Sequence, residues 1–187
     1  VSACASVVGL APYDAAGLNW YAGMSAGNVA EFRAAVQGEP VYRPIVERLA
    51  AEALASVEAG GLQVVDDYEL PEVDRRALAA RHEEEGYLER MRSAYHDGVD
   101  GWIDDCVALT RPWGFELSEL TAPASVWYGT ADVLASRAHH NYLLSRILHA
   151  ERKEVRGGHI LNPTQLLAIY EWLADKDDHP IRSATPR

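Results

Sequence analysis

With 187 residues, 48% of them hydrophobic and 24% charged, the chain has the size and composition of one globular domain. A chain of this length buries roughly 70% of its unfolded surface. Its net charge of −11 has the wrong sign for non-specific nucleic-acid binding or attraction to an anionic membrane, so neither nucleic acid nor membrane is an expected partner. No apolar run approaches the roughly 18–20 residues of a membrane-spanning helix. Cys4 and Cys106, the two cysteines, lack the spacing of a disulfide framework or a zinc site and read as small buried hydrophobes. That usage, without a signal-peptide shape, points to a cytoplasmic protein.

In chain order, Val1 to Val8 is small and β-branched and reads as a buried strand. There is no initiator Met, and proteins rarely begin inside a core strand, so a fragment of a longer protein is expected. Gly9 to Asp14 is a turn-rich exit. A helix is expected over Asn28–Val36, with Asn28 as N-cap and Glu31 completing a capping box. Gly38-Glu39-Pro40 breaks it. A second helix opens with Pro44 in its first turn, carries Ile45, Leu49, Ala53 and Val57 as its apolar stripe, and ends at Gly60-Gly61.

Three further helical stretches follow, from Pro71 to about Glu85, from Tyr87 to about Tyr95, and from Val99 to about Leu109. The Glu83-Glu84-Glu85 run reads as a solvated helix face rather than a metal site. Arg111-Pro112-Trp113-Gly114-Phe115 stops the block. Then come a strand over Ala124–Tyr128, a helix over about Arg137–Leu148 with Ala138, Tyr142 and Ile147 on one face, and a strand over Arg152–Val155. A last helix has Asn162 as N-cap and Pro163 at its first position, with Leu166, Leu167, Tyr170 and Leu173 on its apolar side. From Asp177 the tail is polar and expected to be disordered.

Strand, helical block, strand, helix, strand, helix is the order of an α/β protein with a parallel sheet. Three strands alone leave the inner edge of the first one bare, which again suggests a missing part. In such sheets chemistry collects at the carboxyl ends of the strands. Asp132 follows one strand after the Gly129 turn, and His159 follows the next after Gly157-Gly158. An acid that orients a histidine, whose other nitrogen moves a proton, is the back half of a nucleophile–histidine–acid triad. A turn-capping aspartate beside a loop histidine is the plainer alternative.

The Gly129-Thr130-Ala131-Asp132 segment, the Gly-Gly-His turn at 157–159 and the Tyr170-Glu171-Trp172-Leu173 helix resemble the C-terminal part of the α/β-hydrolase fold family, its esterase, lipase and peptidase-like members above all. Residues 9–14 resemble the chain after that family's sixth strand, where a helical lid begins. Gly101 to Asp105 and Arg111 to Phe115 resemble the lid's return. The resemblance spans about residues 1–175. It implies a hydrolase core over 1–13 and 116–176, a lid or cap over 14–115, a polar tail over 177–187, and catalytic roles for Asp132 and His159. It also implies a nucleophile on a strand upstream of Val1, and no cofactor.

Gly23-Met24-Ser25-Ala26-Gly27 fits the G-x-S-x-G pattern, and Ser25, Asp132 and His159 even fall in the family's order. That pattern needs a strand leading into a sharp turn, and Gly17 to Ala22 is a poor strand, so Ser25 reads as a lid-loop residue. His139-His140 are adjacent and make a poor chelating pair; His82, His96, His149 and His179 lack ligand partners, so no metal site is expected. Trp20, Trp102 and Trp113 are candidate linings of a substrate pocket, with core packing as the alternative.

The expected function is that of a serine-type hydrolase fragment, supplying lid, acid and histidine for cleavage of a small ester- or amide-like substrate, and inactive without its nucleophile. An aspartate nucleophile would turn the same positions to dehalogenase or epoxide-hydrolase chemistry. A non-catalytic module pairing through its bare sheet edge is the reading of another class. A missing N-terminal half or a second copy would cover that edge.

Overall fold

The computed structural model describes residues 2–61 and 68–178. Three strands form a parallel sheet in the order β1 (Cys4–Val7), β2 (Ala124–Gly129), β3 (Glu151–Val155). Between β1 and β2 lies a helical block of α1 (Ala26–Val36), α2 (Glu39–Glu58), α3 (Glu72–His82), α4 (Tyr87–Ala94) and α5 (Asp100–Leu109). α6 (Arg137–Arg146) joins β2 to β3, and α7 (Pro163–Asp178) ends the described chain. The fold is α/β.

β2 is the spine. All six of its residues are buried, and alternation sends their side chains to opposite faces. Ala124, Val126 and Tyr128 pack with Leu117, Leu143 and Ile147 on the face that α6 covers. Trp127 packs with Leu161, Ile169 and Trp172 on the face that α7 covers. β2 thus loses both faces to helices, as the central strand of a parallel sheet requires, whereas β3 leaves Arg152 and Glu154 exposed. The helical block has its own apolar centre, built from Trp20, Phe32, Tyr42, Val46, Ile103 and Cys106 among others.

Several details differ from the sequence expectations, each for a local reason. β1 is half-buried rather than buried, because among the described residues only one of its edges is paired. The cap of α1 is Ser25, whose hydroxyl accepts the Asn28 N–H, so the helix starts two residues before Asn28. Glu31 completes no capping box there. It points into the block's core. α2 starts at Glu39, directly after Gly38, with Pro40 in its first turn and Pro44 inside it. Glu83, Glu84 and Glu85 are exposed but follow α3 rather than lying along it.

α6 turns His139, His140 and Leu143 inward; of the expected face, Ile147 is buried and Tyr142 packs partly buried against the same core, while Ala138 is not part of it. α7 buries Ile169 and Trp172, with Leu166 and Leu173 packed against them as expected, while Leu167 and Tyr170 are 55% and 67% exposed. Its cap is as expected: Asn162 Oδ1 accepts the Gln165 N–H, and Gln165 Oε1 accepts the Asn162 N–H. α7 runs two residues into the expected tail; the remainder, 179–187, lies outside the described residues. Among the described residues, no helix is long and apolar enough to cross a membrane. Both cysteines are free thiols; Cys106 is buried and Cys4 only half-buried.

Candidate active site

Asp132 lies three residues beyond β2 and His159 four beyond β3, so adjacent parallel strands deliver them to the same edge of the sheet. The two exits are tied together by backbone. Thr130 N–H donates to Val155 O at 3.0 Å and Ala131 N–H to Gly157 O at 2.8 Å, which extends the β2–β3 ladder toward the histidine. Gly129 permits this approach: a Cβ there would overlap the carbonyls of Gly157 and Gly158.

His159 Nδ1 stands 3.0 Å from Asp132 Oδ2 and 3.2 Å from Oδ1. Asp132 Oδ1 also accepts the backbone N–H groups of Leu134 at 2.8 Å and Ala135 at 2.9 Å, so the acid is fixed by its own turn. The plainer alternative, turn capping, and the pairing with histidine therefore hold at once. A carboxylate only accepts, so the shared proton belongs to Nδ1, which in the neutral ring leaves the lone pair on Nε2. The Asp132 side chain is 1% exposed, whereas that of His159 is 31% exposed. Among the described residues nothing hydrogen-bonds Nε2.

The helical block holds both loops. Ser25 N–H donates to Val133 O at 2.7 Å, Asn28 Nδ2 to Leu134 O at 2.7 Å, and the Ser136 hydroxyl to Ala22 O at 2.6 Å. On the histidine side, the Asp74 carboxylate of α3 accepts the N–H of His159 at 3.0 Å and of Ile160 at 2.8 Å. Nothing in the Pro-Glu-Val-Asp-Arg-Arg stretch at 71–76 distinguishes Asp74 from its charged neighbours, and sequence reasoning passes it by.

No protein-family model matches the chain, and no curated protein matches it. Among solved structures, it is similar to the enol-lactonase from Burkholderia xenovorans LB400, at 20% identity and a TM-score of 0.45, over 83% of this chain and 64% of that one. The chain thus spans less than two thirds of that enzyme's length.

Ser25 is 5% exposed. Residues 17–24 form turns rather than a strand, and the Ser25 hydroxyl caps α1. It is not joined to His159 by a hydrogen bond. The three tryptophans are placed differently from one another. Trp20 is buried, donates from Nε1 to Ala11 O at 2.9 Å, and meets Tyr13, Tyr21, Phe32 and His139 edge-on. Trp102 is half-buried and donates to Glu31 Oε1 at 2.7 Å. Trp113 lies with Phe115 along an open groove of about 660 Å³ that also includes Ile103, Val107 and Arg111.

Glu31, 6% exposed, is the polar centre of the block. It accepts from the hydroxyls of Tyr42 and Tyr68, from Trp102, and from the Cys106 thiol. Burial first, then the Glu31 charge, pushes both phenols upward, and burial raises the Cys106 thiol to about 12, so it is not a nucleophile near neutrality.

His139 links the two halves of the fold: Nδ1 accepts the Ala11 N–H at 3.1 Å, and Nε2 donates to Trp20 O at 2.7 Å. His140 stacks on Tyr128 with ring centroids 4.5 Å apart. Among the described residues, no group of three or more His, Cys, Asp or Glu side chains is placed to hold a metal ion.

Proposed function

We propose that this chain is the acid- and histidine-bearing part of a serine-type α/β-hydrolase that cleaves a small ester- or amide-like substrate. The observation that carries the reading is the pairing of a half-exposed imidazole, through Nδ1, with a carboxylate whose side chain is 1% exposed. It stands at the carboxyl edge of a parallel sheet, with Nε2 unoccupied. That is the geometry in which a histidine takes a proton from a hydroxyl and an acid stabilises the imidazolium that forms.

In this reading His159 Nε2 removes the nucleophile's proton as its oxygen attacks the substrate carbonyl, then returns the proton to the leaving group. Water repeats the cycle on the acyl-enzyme. Ser25 caps a helix instead, so the reading takes the nucleophile, and the groups that hold the oxyanion, from beyond residues 1–187. Helices α1–α5 are then the lid.

The test is hydrolysis of a p-nitrophenyl ester by the protein carrying its nucleophile. His159→Ala is expected to abolish turnover and Ser25→Ala to leave it in place. Turnover that survives in His159→Ala overturns the assignment.

A further inference from the structure

We propose that Asp74 is a positioning residue for His159, so that the seating of α3 sets the geometry of the candidate catalytic histidine. The inference rests on the Asp132–His159 reading above.

Asp74 is fully buried, and a buried carboxylate is stable only where its charge is matched by donors. Among the described residues it forms no ion pair, and its hydrogen bonds go to two consecutive backbone N–H groups, one per oxygen. The first belongs to His159 itself. Two charge-assisted bonds to adjacent peptide units fix both peptide planes, and with them the direction in which the His159 side chain leaves the backbone. Gly158 completes the fit, since a Cβ there would overlap the Asp74 carboxylate.

The contact is not isolated. Arg81, seven residues on and therefore on the same face of α3, donates from Nη2 to Leu161 O at 3.3 Å. α3 thus grips the 158–161 loop at two points, through Asp74 at the His159 and Ile160 N–H groups and through Arg81 at the Leu161 carbonyl. The acid loop is held by different residues of the block, Ala22, Ser25 and Asn28. A displacement of α3 alone would free the histidine while leaving Asp132 anchored. In a hydrolase, that couples the position of the lid to the alignment of the base.

The experiment is NMR on the purified protein, comparing wild type with Asp74→Ala and Asp74→Asn. In wild type, the His159 and Ile160 amides are expected to be protected from hydrogen exchange, and the imidazole to hold its proton on Nδ1. Asp74→Ala is expected to speed exchange of those two amides by about tenfold or more and to mix the imidazole tautomers, while the Val126–Tyr128 amides stay protected. Asp74→Asn keeps one acceptor oxygen and is expected to retain protection at one of the two amides. It carries the test if Asp74→Ala does not fold.

Unchanged exchange at both amides together with an unchanged tautomer overturns the proposal. So does faster exchange with the tautomer untouched, which would make Asp74 purely structural. These readouts need no turnover, so they separate failure of this inference from failure of the hydrolase reading, which His159→Ala tests by itself.

Discussion

Asp132 Oδ2 lies 3.0 Å from His159 Nδ1, while Oδ1 of the same carboxylate is held by the N–H groups of Leu134 and Ala135. The turn therefore orients the acid before the histidine meets it. In Asp132→Asn the single remaining oxygen is drawn to the two N–H groups, which presents the amide NH₂ to Nδ1. That arrangement forces the proton onto Nε2, where a base needs a lone pair. In the protein carrying its nucleophile, kcat for a p-nitrophenyl ester is expected to fall by about 10⁴-fold with KM little changed. The fold, whose capping oxygen survives, is expected to hold. A kcat within a few-fold of wild type would remove Asp132 from the reaction.

The order of strands and helices was legible because hydrophobic period and glycine–proline punctuation are local properties. The same holds for Asp132 and His159, each announced by a glycine turn after an apolar run. What was not legible depended on tertiary packing. Asp74 and Glu31 are acids in charged or helical stretches, and only the fold reveals that one meets two backbone N–H groups and the other four side-chain donors. On α6 and α7 the inward face coincides only in part with the expected one. His139 is buried by Ala11 and Trp20, which lie far away in sequence, and His140 by Tyr128 of the preceding strand. On α7, Ile169 and Trp172 meet Trp127 of β2, and Leu167 and Tyr170 are left outward.

Gly129 stands where the exits of β2 and β3 approach each other closely. A methyl group there would meet the carbonyls of Gly157 and Gly158. Backbone cannot rotate aside as a side chain can, so the β2 and β3 exits must separate. Gly129→Ala is expected to destabilise the fold by about 2–3 kcal/mol, the upper range for overpacking, measured by urea unfolding. It should also weaken the Asp132–His159 contact. A variant as stable as wild type would show that the approach of the loops is looser than this geometry states.

Glu31 makes a different prediction, because its four donors are left behind when it is removed. Glu31→Ala leaves the hydroxyls of Tyr42 and Tyr68, the Trp102 indole and the Cys106 thiol facing an apolar hole. Stability to urea is expected to fall by about 3–5 kcal/mol. Glu31→Gln, which keeps an acceptor oxygen and the volume, is expected to lose less than half of that. Equal losses in the two variants would mean that volume, not hydrogen bonding, is what Glu31 contributes.

His140 makes the stability of the fold depend on pH. Its ring is fully buried, stacked on Tyr128, and among the described residues neither ring nitrogen has a hydrogen-bond partner. Burial lowers its pKa from 6.5 to about 4, against a smaller opposing pull from Asp132, while neighbouring His139 and His159 add to the lowering. The unfolded chain takes up a proton near pH 6.5 that the folded ring refuses until about pH 4. Stability is therefore complete above pH 6.5 and is lost as pH falls through that window, by up to about 3 kcal/mol in all. His139, lowered by burial as well, acts in the same direction. His140→Leu removes the titration without stranding a partner. Its unfolding free energy, followed by urea denaturation, is expected to change less steeply between pH 6.5 and pH 4.5 than that of wild type. The difference in slope should approach about 1.4 kcal/mol per pH unit. Parallel curves for the two proteins would show that His140 takes up its proton in the folded state as readily as in the unfolded chain.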